Sequence, residues 1–93
     1  MHGENVAARE VETVLNQNEN VLESAVIGVM DKFGNEAIKA FIVLKDGKHI
    51  TSEELKKHCL QIMAKFKVPE FIEFRKELPR TASGKIEKKM LRI

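Results

Sequence analysis

Residues 78–89, Leu-Pro-Arg-Thr-Ala-Ser-Gly-Lys-Ile-Glu-Lys-Lys, hold the densest set of groups able to meet an anion. Thr81, Ser83 and Gly84 make a loop of hydroxyls and backbone amides, and Lys85 follows just ahead of a predicted helix. An ammonium on a four-carbon stem is a mobile point charge suited to a phosphate or a developing carboxylate charge. Amides at a helix start would favour the same ligand. A plain solvated lysine on a surface loop is the competing reading. A phosphate-cradling P-loop is excluded by spacing, because the position five before Gly84 is Pro79 and neither Ser nor Thr follows Lys85.

The second candidate lies at the start, residues 3–12, Gly-Glu-Asn-Val-Ala-Ala-Arg-Glu-Val-Glu. Gly3 permits close backbone approach to a ligand. Taken alone, the segment reads more readily as an ordinary frayed N-terminus leading into a helix. Cys59 falls on an apolar helix face and reads as a structural thiol. His2, His49 and His58 have no metal-ligand spacing with it.

Elements that position these groups follow from periodicity. Residues 8–17 place Ala8, Val11, Val14 and Leu15 at helical spacing, with Arg9, Glu10, Glu12 and Gln17 outward. Residues 25–30 read as a strand buried on both faces, and residues 37–44 as a second, central one. Thr51 and Glu54 have capping-box spacing. The helix they open carries Leu55, Cys59, Ile62, Met63 and Phe66 on one face and must stop before Pro69. Residues 71–74 read as a short strand and 86–92 as a helix with Ile86, Met90 and Ile93 on one stripe. Met30, Met63 and Met90 read as core filler. The order α-β-β-α-β-loop-α predicts an α+β domain with a small mixed sheet of about three strands and helices packed on it.

The 93 residues, 43% of them hydrophobic, suffice for one small domain. No apolar run nears the roughly 18–20 residues that span a bilayer, and no secretory signal pattern is present. A lone cysteine fits a reduced, cytoplasmic setting. The net charge of +2 is uneven: residues 75–93 carry seven basic side chains against Glu77 and Glu87, while the rest of the chain is mildly acidic. Such a basic end suggests an anionic partner. No aromatic interleaves it, so a stacking platform for single-stranded nucleic acid is poorly supplied.

The two candidate segments, in this order, resemble the C-terminal domain of the adenylate-forming enzymes: acyl-CoA synthetases, luciferases and peptide-synthetase adenylation domains. Residues 3–12 are similar to the stretch after the family's hinge, and residues 78–89 to its terminal lysine motif. Residues 36–41 (Glu-Ala-Ile-Lys-Ala-Phe) and 63–69 (Met-Ala-Lys-Phe-Lys-Val-Pro) also fit the acyl-CoA ligase pattern. The nearest likeness is to crotonobetaine/carnitine-type and other medium-chain or aryl acid ligases.

The resemblance implies a mobile lid, spanning residues 1–93, over a larger N-terminal domain that binds ATP and a carboxylic acid, with Mg2+ held by that domain. Lys85 would serve acyl-adenylate formation, with Thr81, Ser83 and Gly84 near the nucleotide phosphates. Gly3, Glu4 and Asn5 would line the pantetheine tunnel when CoA displaces AMP. Arg80, Lys88, Lys89 and Arg92 would add phosphate or interdomain contacts, or simply form a solvated face. The hinge residue would lie upstream of Gly3, so Met1-His2 read as the start of an excised piece. This domain alone is expected to bind no cofactor and to catalyse nothing, to bind no nucleic acid, and to expose an apolar patch for docking. Ala7 stands where a hydroxyl would cap the first helix. Lys85 would also be open to acetylation, which removes its charge. The alternative is a free-standing α+β binding module whose basic end meets nucleic acid or an acidic partner.

Overall fold

Ala8, Val11, Val14 and Leu15 share one helix face because 3.6 residues make a turn. In the computed structural model, which describes residues 6–92, they are the buried side of helix α1 (Val6–Asn16). Strand β1 (Val21–Met30) then pairs antiparallel with β2 (Glu36–Leu44). Helix α2 (Ser52–Leu60) crosses back, and β3 (Phe71–Phe74) joins β2 in parallel, with Phe71 opposite Lys39. The sheet order is β1-β2-β3, so β2 is central and the domain is α+β with a mixed sheet, as the periodicity predicts.

Alternation along the strands loads both sheet faces. Val21, Val26, Ala40 and Ile42 pack under the helices with Val11, Leu15, Leu55 and Cys59. Ala25, Ile27, Phe41 and Val43 face the other way and meet Leu78 and Leu91 of the C-terminal segment. Burying one such large side chain contributes about 1.5–3 kcal/mol. Over Phe41 lie the Lys39 ammonium, 4.9 Å from the ring centroid, and the Arg75 guanidinium, at 4.8 Å. Glu73 pairs with both cations, at 3.0 and 2.7 Å.

Four details depart from the sequence reading. Strand β1 begins at Val21 rather than Ala25, because its polar residues find partners: the Ser24 hydroxyl donates to Asn16 Oδ1 at 2.8 Å. Helix α2 ends at Leu60, leaving Ile62 and Phe66 exposed. A continuation to Val68 would run roughly 25 Å, while β3 starts beside Lys39, only about 17 Å back from the end of β2. The chain instead takes a 3-10 turn, Lys65–Lys67, fastened to α1 by Lys67 Nζ on Glu10 Oε1 at 2.9 Å.

The C-terminal helix is a 3-10 turn, Lys88–Arg92, that buries Leu91. Ile86 is held extended by its bridge to Arg80, so no helix starts there; Met30 and Met90 are exposed rather than core filler. Ala7 lies inside the first turn of α1, so the cap position falls outside the described residues, as do Met1, His2 and Ile93.

Candidate functional site

Residues 79–87 form a closed hairpin tip. The Glu87 amide donates to the Pro79 carbonyl at 2.8 Å, and the Thr81 amide to the Lys85 carbonyl at 2.7 Å. The tip reverses where the Gly84 amide donates to the Thr81 carbonyl at 2.9 Å. Gly84 takes φ +92°, a conformation side chains disfavour, which is why glycine stands there. Leu78, buried, and Ile86, half-buried, root the stem in the outer-face core.

The hydroxyls are occupied within the tip. Thr81 Oγ1 accepts from the Lys85 amide at 3.2 Å and lies 2.9 Å from Ser83 Oγ. The Thr81, Gly84 and Lys85 amides are therefore taken up within the tip, whereas those of Ala82 and Ser83 make no hydrogen bond among the described residues. No helix N-terminus follows Lys85 directly, since the 3-10 turn begins at Lys88. Besides those two amides, what remains available is the Lys85 side chain. Lys85 is exposed, and among the described residues its ammonium has no ion pair or hydrogen bond.

The hairpin is tied to the body through Arg80. Its Nη1 donates to the Gly84 carbonyl at 2.9 Å, and its Nη2 pairs with a Glu23 carboxylate oxygen on β1. Lys88 reaches Glu12 on α1 at 2.8 Å, and Arg92 Nη1 donates to the Gly28 carbonyl at 2.8 Å. Three members of the basic cluster are thus partnered within the domain. The sequence reading placed Glu12 outward; its carboxylate instead turns inward onto β1 and Lys88.

Thr81, Ser83, Gly84 and Lys85 are brought together as expected, whereas Gly3, Glu4 and Asn5 lie outside the described residues. The chain enters α1 next to a groove of about 610 Å³, walled by Ala7, Ala8, Val26–Met30 and exposed Phe66. That groove sits at the far end of β1 from Glu23; Glu23 to Gly28 is about 17 Å of extended strand.

Cys59 is buried, and burial pushes its thiol above the ordinary 9.0. His58 Nε2 lies 2.8 Å from the Val14 carbonyl and joins α2 to α1. Among the described residues no group of three or more His, Cys, Asp or Glu could hold a metal ion, and no helix is long and apolar enough to cross a membrane.

Residues 10–85 match the model of the AMP-binding enzyme C-terminal domain. The chain is 49% identical over 90 residues to a crotonobetaine/carnitine–CoA ligase of Citrobacter koseri, covering 97% of this chain and 17% of that ligase. Among solved structures it is similar to the anthranilate CoA ligase AuaEII in complex with anthranoyl-AMP (TM-score 0.83, 43% identity, 89% of this chain and 17% of that one). It is also similar to the amide bond synthetase McbA of Marinactinospora thermotolerans (TM-score 0.85, 34% identity, 91% and 17%). The chain therefore spans about a sixth of the length of these relatives.

Proposed function

This chain belongs to the family of AMP-binding enzyme C-terminal domains, and we propose that it acts as the mobile catalytic lid of an ATP-dependent, AMP-forming acid:CoA ligase. In the first half-reaction a substrate carboxylate oxygen attacks the α-phosphorus of ATP and pyrophosphate leaves. Lys85 carries its positive charge to the oxygens that gain negative charge in that step. Removing one such donor costs about 2.7–4 kcal/mol of transition-state stabilisation. In the second half-reaction the CoA thiol attacks the acyl carbon and AMP leaves. The segment Gly3–Asn5 then lines the thiol's approach.

The observation that carries this reading is the Lys85 ammonium: unpartnered among the described residues, exposed, and mounted on a hairpin closed by three backbone hydrogen bonds. The larger preceding domain supplies ATP and the acid pocket, and so the choice of acid. Mg2+ would be held by that larger domain, since among the described residues no group of three or more His, Cys, Asp or Glu could hold a metal ion. The runner-up, a binding module using its basic end, is weakened by the internal pairing of Arg80, Lys88 and Arg92.

The test is a hybrid in which this chain replaces the matching segment of the Citrobacter koseri ligase. Lys85→Ala should abolish most ATP–pyrophosphate exchange, while conversion of supplied acyl-adenylate to thioester largely survives. Equal loss of both halves, or loss of neither, overturns the assignment.

A further inference from the structure

We infer that Arg80 and Glu23 form a positioning pair that holds the Gly84–Lys85 peptide, and with it Lys85, in the orientation adenylation requires. The inference rests on the reading of Lys85 given above and adds two residues to it. The two polar ends of that one peptide unit are held separately. Its carbonyl, on Gly84, accepts from Arg80 Nη1 at 2.9 Å, and its N–H, on Lys85, donates to Thr81 Oγ1 at 3.2 Å.

Gly84 carries no Cβ to restrict rotation about its Cα–C bond, the ψ rotation that turns this peptide, so the peptide needs holding from outside. A rotation there that is not compensated at Lys85 would swing the Lys85 stem away from its present direction. Arg80 resists this because a guanidinium is a planar fork that can serve two acceptors at once. Its second acceptor, the Glu23 carboxylate, is fixed to a strand rather than to the hairpin. Glu23 owes its aim to an irregularity in β1: the register slips between Val21 and Glu23, and Leu22 is turned out into solvent. Bulges of this kind re-aim side chains. The stem of the tip is thus closed by its own backbone bonds, and Arg80 ties it to the sheet.

The hybrid ligase tests this. Arg80→Ala should lower kcat of adenylation about 10–100-fold, the scale on which small misplacements act, with KM for ATP and acid changed less than about threefold. Arg80→Lys should fall nearly as far, because one ammonium cannot span both acceptors. Glu23→Gln should fall in the same direction, and the double variant Arg80→Ala/Glu23→Gln should be no worse than Arg80→Ala alone. Thioester formation from supplied acyl-adenylate and the melting temperature should stay near the parent values. If Lys85→Ala abolishes adenylation while Arg80→Ala and Glu23→Gln behave as the parent, the positioning pair is refuted and the reading of Lys85 stands. A rise in KM for ATP at unchanged kcat would mean direct nucleotide contact and refute positioning. Parallel loss of both half-reactions with a lowered melting temperature would reduce the pair to a structural tie. Intact adenylation in Lys85→Ala would remove the parent reading itself.

Discussion

Glu12 Oε2 lies 2.8 Å from Lys88 Nζ and 2.8 Å from the Val26 amide, so one oxygen joins α1, β1 and the C-terminal turn. The Val26 N–H lies on the open edge of β1, where an unpaired donor invites another strand. Arg92 covers the Gly28 carbonyl of the same strand. A glutamate that the helical pattern assigns to solvent therefore closes a sheet edge.

Glu12→Ala is expected to cost about 1–3 kcal/mol, since it strips a charge-assisted bond and leaves the Val26 amide unpaired. Glu12→Gln keeps an acceptor for that amide and should cost less than half as much. Urea denaturation of the three proteins measures both. Equal stability of parent and Glu12→Ala would show that the junction contributes nothing.

Gly84 can be tested by shape. Nothing lies within 4 Å of where its Cβ would sit, so Gly84→Ala meets no clash and suffers only the positive φ. The expected cost is about 1–2 kcal/mol. Gly84→Asn should cost less, because asparagine tolerates the left-handed region. Thermal melts that rank Asn below Ala would contradict the turn geometry.

Acid should weaken the fold through two carboxylates held below their ordinary 4.5. The Thr51 backbone N–H, then the Thr51 side chain, lowers Glu54; hydrogen bonds from Arg75, then Lys39, lower Glu73. In both cases the unfolded chain binds the proton more readily. Their stabilisation is complete above the ordinary value and fades as pH falls through the depressed folded values. Glu54→Gln and Glu73→Gln should each be less stable than the parent at pH ~7, with the gap closing by pH ~3. A constant gap across a urea-melt series in pH would exclude the linkage.

Cys59 should resist thiol reagents in the native chain and react fully once urea unfolds it, because burial both hides the thiol and disfavours the thiolate. Cys59→Ser should cost about 1–3 kcal/mol through a hydroxyl left without a partner. Rapid labelling of the folded protein would overturn this placement.

Local chemistry was legible in the sequence where short-range rules act. The Thr51–Glu54 capping box forms with both of its bonds, at 2.9 and 3.1 Å. The apolar run of β2, broken only by Lys39, marks it as the central strand, and the Thr81–Lys85 segment does gather at one tip. The misses come from long-range constraint. Where α2 ends is decided by the distance back to β3, which the Ile62 and Phe66 spacing cannot encode. The extended state of Ile86 depends on Arg80 across the hairpin, and the inward turn of Glu12 on a strand edge ten or more residues away. Arg80 and Glu23 carry no local signal of their pairing, because 57 positions separate them.

A β-strand barely stretches, and β1 sets the point where Arg80 anchors the Lys85 hairpin, at Glu23, about 17 Å from Gly28 in the groove beside the leading turn of α1. Two stations on an inextensible rod cannot attend the same spot at once; either one's arrival demands the other's departure. For a protein working as proposed here, the order of events would then be imposed by a ruler rather than by a signal, and lengthening that rod would upset the timing before it touched the chemistry.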